Sequence, residues 1–150
     1  MTFDDTSKLN TWVELDRQAF FHNLDFFRSI LSPGTELIAV VKANAYGHGI
    51  LPISAMAVEH GVESLAVHSL EEAHLLRQNG IDCSVILLGP CPPRRHDEII
   101  RLHLDPVVSN SETLKDLSEA CQKANSPCNI HIKLETGTHR QGVDSRGLDR

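Results

Sequence analysis

Five short apolar runs recur along this chain at a spacing of roughly 20 to 25 residues, and helical patterns separate them. The runs occupy residues 36–41, 64–68, 84–88, 105–109 and 129–135. The first, Glu36-Leu-Ile-Ala-Val-Val41, is almost wholly apolar, as expected of a strand covered on both faces in a parallel sheet. Strands alternating with helices at this spacing predict an α/β fold with a parallel sheet. The pattern alone leaves a barrel and an open doubly wound sheet both standing. No Gly-x-Gly-x-x-Gly follows the first strand, which weakens a dinucleotide-binding fold.

The intervening segments carry helix signals. Asp16 is placed to cap a helix over 17–31, where Phe20, Leu24, Phe27 and Leu31 form an apolar stripe broadened by Phe21 and Phe26. These aromatics are expected in the core. Ser32-Pro-Gly34 stops that helix. Further helices are predicted over 50–60, from Ser69 to about Asn79, over 95–103 and over 112–125. Ser69 and Glu72 have the spacing of a capping box, and Ser111 is the expected cap of the last helix. Residues 11–15 read as a further short β-type run, and residues 1–10 as a flexible start. Arg94-Arg95, beside prolines, reads as a solvated turn.

With 150 residues and a net charge of −6, from 14 basic and 20 acidic side chains, the chain has no basic patch that argues for nucleic acid. No apolar run approaches the roughly 18 residues of a membrane helix, and the amino terminus lacks the apolar segment of a signal peptide. A cytoplasmic location is expected. The four cysteines, Cys83, Cys91, Cys121 and Cys128, form no metal-ligand spacing and are expected as free, at least partly buried thiols. His131 and Lys133 share a strand face, but two side chains do not make a metal site.

The chemistry concentrates at the end of the first run. A lysine, Lys42, closes it, followed by Ala43, Asn44, Ala45, Tyr46 and two glycines. The carboxyl end of a barrel strand is where chemistry sits. Burial there would favour a neutral amine, which can attack an aldehyde. The plain alternative is a lysine whose ammonium reaches out to solvent.

Ala39-Val-Val-Lys-Ala-Asn-Ala-Tyr-Gly-His-Gly49 resembles the cofactor-lysine motif of the barrel-type alanine racemases, which use pyridoxal 5'-phosphate. Its shorter core, Val41 to Asn44, is also similar to that of pyridoxal-phosphate decarboxylases of basic amino acids. A second stretch, Lys133-Leu-Glu-Thr-Gly-Thr-His-Arg-Gln-Gly142, resembles another racemase segment at Lys133, Thr136, Gly137, Arg140 and Gly142. It departs at Glu135, Thr138 and Gln141, where the family pattern has Asp, Met and Leu.

The resemblance implies a partial (β/α)8 TIM-type barrel of about five βα units over 11–150, and interconversion of L- and D-alanine for cell-wall synthesis. It implies that Lys42 holds the cofactor as an imine and exchanges the Cα proton. Tyr46 is implied to reach the cofactor phosphate. Arg140 would face the cofactor phenolic oxygen and the substrate carboxylate, and Lys133 would anchor Arg140, carbamylated in some family members. A complete barrel typically needs about 250 residues, so a piece of a longer enzyme is expected, without its C-terminal β domain. The second base, a tyrosine from the neighbouring subunit of a homodimer, would lie elsewhere, because Tyr46 is the only tyrosine in the chain. A broad-specificity amino-acid racemase, a basic-amino-acid decarboxylase, and an inactive remnant or weak cofactor binder are the alternatives.

Overall fold

A computed structural model describes residues 10–144. Five parallel strands, β1 (Ile38–Val40), β2 (Ser64–Val67), β3 (Ser84–Leu87), β4 (Leu104–Val108) and β5 (His131–Ile132), lie side by side in chain order. In a doubly wound sheet the order reverses at a switch point. Here it never does, so the sheet is of the singly wound, barrel type. The helices are α1 (Arg17–Ile30), α2 (Lys42–Tyr46), α3 (Ile50–Glu59), α4 (Leu70–Gln78), α5 (His96–Arg101) and α6 (Ser111–Ala124).

Side chains alternate across each strand, and the two faces differ. Val41, Leu65, Val67, Val85, Leu87, Leu104 and Val108 point toward the helices and form the core with Ile50, Ala57, Leu70, Ala73, Leu76, Ile99 and Leu117. The opposite face carries Ile38 and Val40, both exposed, with Ala66 and Ile86 buried outside that core. Residues from all five strand regions on this face, including Ile38, Ser64, Ser84, Asp105 and His131, line one hollow of about 510 Å³. This is the inner surface of the barrel arc.

Local signals set the helix starts. Asp16 accepts from the Ala19 amide at 3.0 Å, and Ser69 with Glu72 forms the expected capping box. The last helix departs from expectation. Asn110, not Ser111, is its cap and accepts from the Thr113 amide at 2.8 Å, so the helix starts one residue early. Residues 11–15 form no strand; Trp12 and Val13 are exposed, and no described strand lies alongside to complete a ladder. The core assignment of the α1 aromatics also fails in part. Leu24 is buried and Phe20 packs on the core, but Phe26 and Phe27 are exposed. The reason is that α1 meets the body around the end of α3. There Phe21 stacks on His60 with ring centroids 4.2 Å apart, Arg28 donates to the His60 carbonyl at 2.7 Å, and Arg17 pairs with Glu59. Only one side of the stripe is covered.

Arg95 is not a simple solvated turn residue. It bonds Glu98 at 2.5 Å and Glu71 at 2.6 Å, tying α5 to α4. This guanidinium, with His74 behind it, pulls the Glu98 carboxyl down to about 2. All four cysteines are free and half-buried; burial pushes the Cys91 and Cys128 thiols up to about 11.

Arg77 on α4 donates to four carbonyls: Ile81 at 2.6 Å, Cys83 at 2.9 Å, Leu102 at 3.0 Å and His103 at 3.2 Å. One planar fork therefore satisfies the turns that lead into β3 and β4. Arg77→Ala leaves these acceptors unpaired and is expected to destabilise the chain by about 2–3 kcal/mol, read as a lowered urea midpoint. A midpoint unchanged from the parent would refute this assignment.

Candidate active site

Every β-strand runs the same way, so all the loops that follow strand carboxyl ends emerge on one rim. Lys42 lies on that rim, one residue past Val41, whose amide donates to the Ala66 carbonyl at 2.9 Å. The β1–β2 register ends at Val40 opposite Ala66, and His68 follows the end of β2 on the same rim. Val41, at φ −113° and ψ 11°, leaves the extended conformation, so the chain turns at Lys42, which is half-buried. On β5, Ile130 packs on the core, so His131 and Lys133 take the inner face. The Lys133 amide bonds the Val108 carbonyl at 2.9 Å and so belongs to the same rim. The two lysines stand on the outermost strands of the described sheet, four strand spacings of about 4.8 Å apart along it.

The turn after Lys42 has an unusual backbone. Ala43, Asn44 and Ala45 sit at φ 52, 55 and 50° with ψ 49, 43 and 45°, the left-handed helical values, and Tyr46 follows at φ 54°. For L-residues this conformation costs on the order of 1–2 kcal/mol each. Such strain persists only where the surroundings over-determine it. The surroundings here are dense. The Ala45 amide donates to the Val41 carbonyl at 2.8 Å, and Ala45 is buried. The Asn44 carbonyl accepts from Gly47 and Gly49, both at 3.0 Å, while its side-chain Oδ1 caps α3 through the Ile50 amide at 2.9 Å. The Ala43 amide donates to Glu72 at 2.6 Å. Tyr46 emerges from this turn 62 % exposed, with its ring at the rim.

The loop after β5 is closed differently. Residues Leu134 and Val143 form a bridge, with Glu135 amide to Val143 carbonyl at 2.9 Å and Val143 amide to Lys133 carbonyl at 2.8 Å. A Cβ at Gly142 would lie 2.5 Å from the Glu135 nitrogen and 2.7 Å from the Leu134 carbonyl carbon, so only glycine allows the strands this close. Between them the Glu135 carboxylate gathers backbone amides. That of His139 acts most strongly, then that of Gly137 at 2.5 Å, and together they hold this carboxyl below its ordinary value. Arg140 is exposed on this loop. Among the described residues, the side chains of Lys42, Tyr46, Lys133 and Arg140 have no hydrogen-bond or ion-pair partner.

Residues 15–150 match the family described as alanine racemase, N-terminal domain. The chain belongs to this family. It is 38 % identical over 141 residues to the alanine racemase of Clostridium tetani, covering 93 % of this chain and 36 % of that protein. It superposes on the alanine racemase of Bacillus anthracis with bound L-Ala-P at a TM-score of 0.83 and 34 % identity, over 91 % of this chain and 35 % of that one. A histidine racemase from Leuconostoc mesenteroides aligns at a TM-score of 0.81 and 26 % identity, over 88 % of this chain and 36 % of that one. The chain thus spans about a third of the length of the relatives it matches. The α/β barrel expectation holds, and the five parallel strands belong to a barrel of this family.

The donor set suits an anionic ligand with an aldehyde: an uncommitted strand-end amine, a hydroxyl four residues on, and a guanidinium on a second rim loop. Lys42, Tyr46, Lys133 and Arg140 stand out in the sequence through their motifs, whereas three other rim residues do not. Glu72 was legible only as half of a capping box, and Glu135 only as a departure from a pattern. His68 could have been found by counting the strand register. No helix among the described residues is long and apolar enough to cross a membrane.

Two outcomes are expected. Asn44→Ala removes the α3 cap, and should lower stability by about 1–2 kcal/mol in urea denaturation; Asn44→Asp, which keeps an acceptor, should recover most of it. The second concerns pH. Because folding lowers the Glu135 carboxyl below its ordinary 4.5, its hold on residues 137–140 is complete above that value and is lost as pH falls through the lowered one. Amide chemical shifts of Gly137 and His139 should therefore titrate in acid, and Glu135→Gln should abolish the titration. A titration that persists in the variant assigns it to another group.

Proposed function

We propose that this chain is the amino-terminal, cofactor-bearing part of a pyridoxal-phosphate-dependent alanine racemase. The observation that carries the reading is the pair of family motifs at two strand ends of one barrel rim, one around Lys42 and the other around Lys133 and Arg140. When bound, the cofactor draws electrons from the substrate Cα and makes its hydrogen acidic. Lys42 would hold the cofactor through its amine and would be the group that takes or returns the Cα proton on one face. The Tyr46 hydroxyl, exposed on the left-handed turn, would donate to the phosphate. Arg140 would offer its planar guanidinium fork to the phenolic oxygen and the substrate carboxylate. Lys133 lies at the strand end from which that loop departs, and its carbamate, as in some family members, would anchor Arg140.

The chain supplies one base. Tyr46 is its only tyrosine and belongs to the cofactor turn, so the base on the opposite face comes from outside these 150 residues. A homodimer in which a partner's C-terminal β domain completes the site, in the cytoplasm, is the assembly this reading requires. The isolated chain is accordingly expected to bind cofactor but not to racemise alanine.

A second reading keeps the chemistry and changes the substrate. The likeness to a histidine racemase supports a racemase of other or broader specificity. Following D-amino acid formation across a substrate panel, with carbon dioxide release in parallel, separates these from a decarboxylase.

Incubation with pyridoxal phosphate, borohydride reduction and peptide mapping should place the label on Lys42, and Lys42→Ala should lose it. A stable adduct on another lysine with Lys42 unmodified would falsify the cofactor assignment.

A further inference from the structure

Glu72 makes two kinds of contact. The first is local: at the third position of α4, with Ser69 Oγ accepting its amide at 3.3 Å and its own Oε2 accepting from the Ser69 amide at 3.2 Å, it completes a helix cap. The second reaches across the rim. Its Oε1 accepts from the Ala43 amide at 2.6 Å, and its Oε2 from the His68 amide at 2.7 Å. One half-buried carboxylate therefore ties the end of β2 to the first residue of the turn that follows Lys42.

We propose that Glu72 is the positioning residue for Lys42, acting through the left-handed turn that begins at Ala43. The reasoning is geometric. Ala43 is directly bonded to Lys42 in the chain and is the first of four consecutive non-glycine residues at positive φ. A backbone in that region relaxes toward ordinary conformations unless each end is held. Asn44 and Ala45 secure the middle and far end of the turn through their bonds to Gly47, Gly49, Ile50 and Val41. Glu72 is the contact that holds the near end, where the lysine is. Its chemistry is specific. Three amides converge on two oxygens, which a carboxylate can accept and a charge-assisted bond strengthens. An amide in its place would turn an NH2 toward one of those N–H groups, and an aspartate is one methylene too short to span from α4 to Ala43. The proposal rests on the cofactor reading of Lys42, and its test separates the two.

The chain is loaded with saturating pyridoxal phosphate and reduced with borohydride at timed intervals, and labelling of Lys42 is followed by peptide mapping. Exchange of the Ala43 amide is followed in parallel by NMR, without cofactor. Glu72→Ala should slow Lys42 labelling about tenfold or more, as expected when a reacting group is displaced by a fraction of an ångström to an ångström. It should also remove protection of the Ala43 amide. Glu72→Gln, which keeps one acceptor, should fall between. Ser69→Ala is the control for helix stability. It removes the cap but not the Ala43 contact, so it should lower the melting temperature and leave Lys42 labelling within about twofold of the parent. A purely structural role for Glu72 would make Ser69→Ala and Glu72→Ala behave alike, and that result overturns the proposal, as does parental labelling by Glu72→Ala. If the parent chain takes no label on Lys42, the cofactor reading fails, and the Ala43 amide decides the anchoring: unchanged exchange in Glu72→Ala overturns it too.

Discussion

Parallel pairing in unbroken chain order is the constraint on which everything else in this molecule depends. Each strand must leave the sheet at its carboxyl end and return to the opposite end through a helix. The helices therefore stack on one face, where Val41, Leu65, Val67, Val85, Leu87 and Leu104 bury against Ala57, Leu76, Ile99 and Leu117. The loops that follow strand carboxyl ends are left together on one rim. Lys42, His68 and Lys133 are far apart in the chain and come to lie on one rim for no other reason. The inner face, with Ile38 and Val40 uncovered, is the surface that this rim encloses.

Two rim loops solve the same problem in different ways. Both must hold a motif side chain at a defined place without a regular element beneath it. After β1 the backbone adopts a left-handed turn, and its strain is offset by amides and carbonyls of the turn itself, by Asn44 and by Glu72. After β5 the chain doubles back onto itself at Gly142 and wraps its amides around Glu135. A carboxylate that collects backbone amides appears in both. In each case it is a negative charge whose lone pairs are spent on main chain, so it fixes the loop without competing for an incoming ligand.

How far this was readable beforehand differs by residue. Strand positions were legible because burial on the helix side imposes apolar residues, and all five runs became strands. Their lengths were less so: 129–135 contracted to His131–Ile132, because pairing depends on what β4 offers opposite. The caps at Asp16 and Ser69 were legible as local chemistry, whereas Ser111 lost to Asn110 by one position. Phe26 and Phe27 had the right period for a core and lie exposed, since period reports that a helix has an apolar stripe and not how much of it a neighbour will cover. Residues 11–15 alternate like a strand, but a strand exists only with a partner.

The sequence by itself determined the fold class, the family and the two motif-bearing loops, because strand burial, helix capping and a continuous run of matching residues are properties of nearest neighbours in the chain. It also determined that Lys42, Tyr46, Lys133 and Arg140 are the residues to examine. Only the tertiary structure decided that the sheet is singly wound, that Ala43 to Tyr46 turn left-handed, and that Glu72 reaches across from α4 to hold them. Those are relations between segments separated by twenty residues or more, or conformations that ordinary residues adopt only when distant groups compensate for the strain.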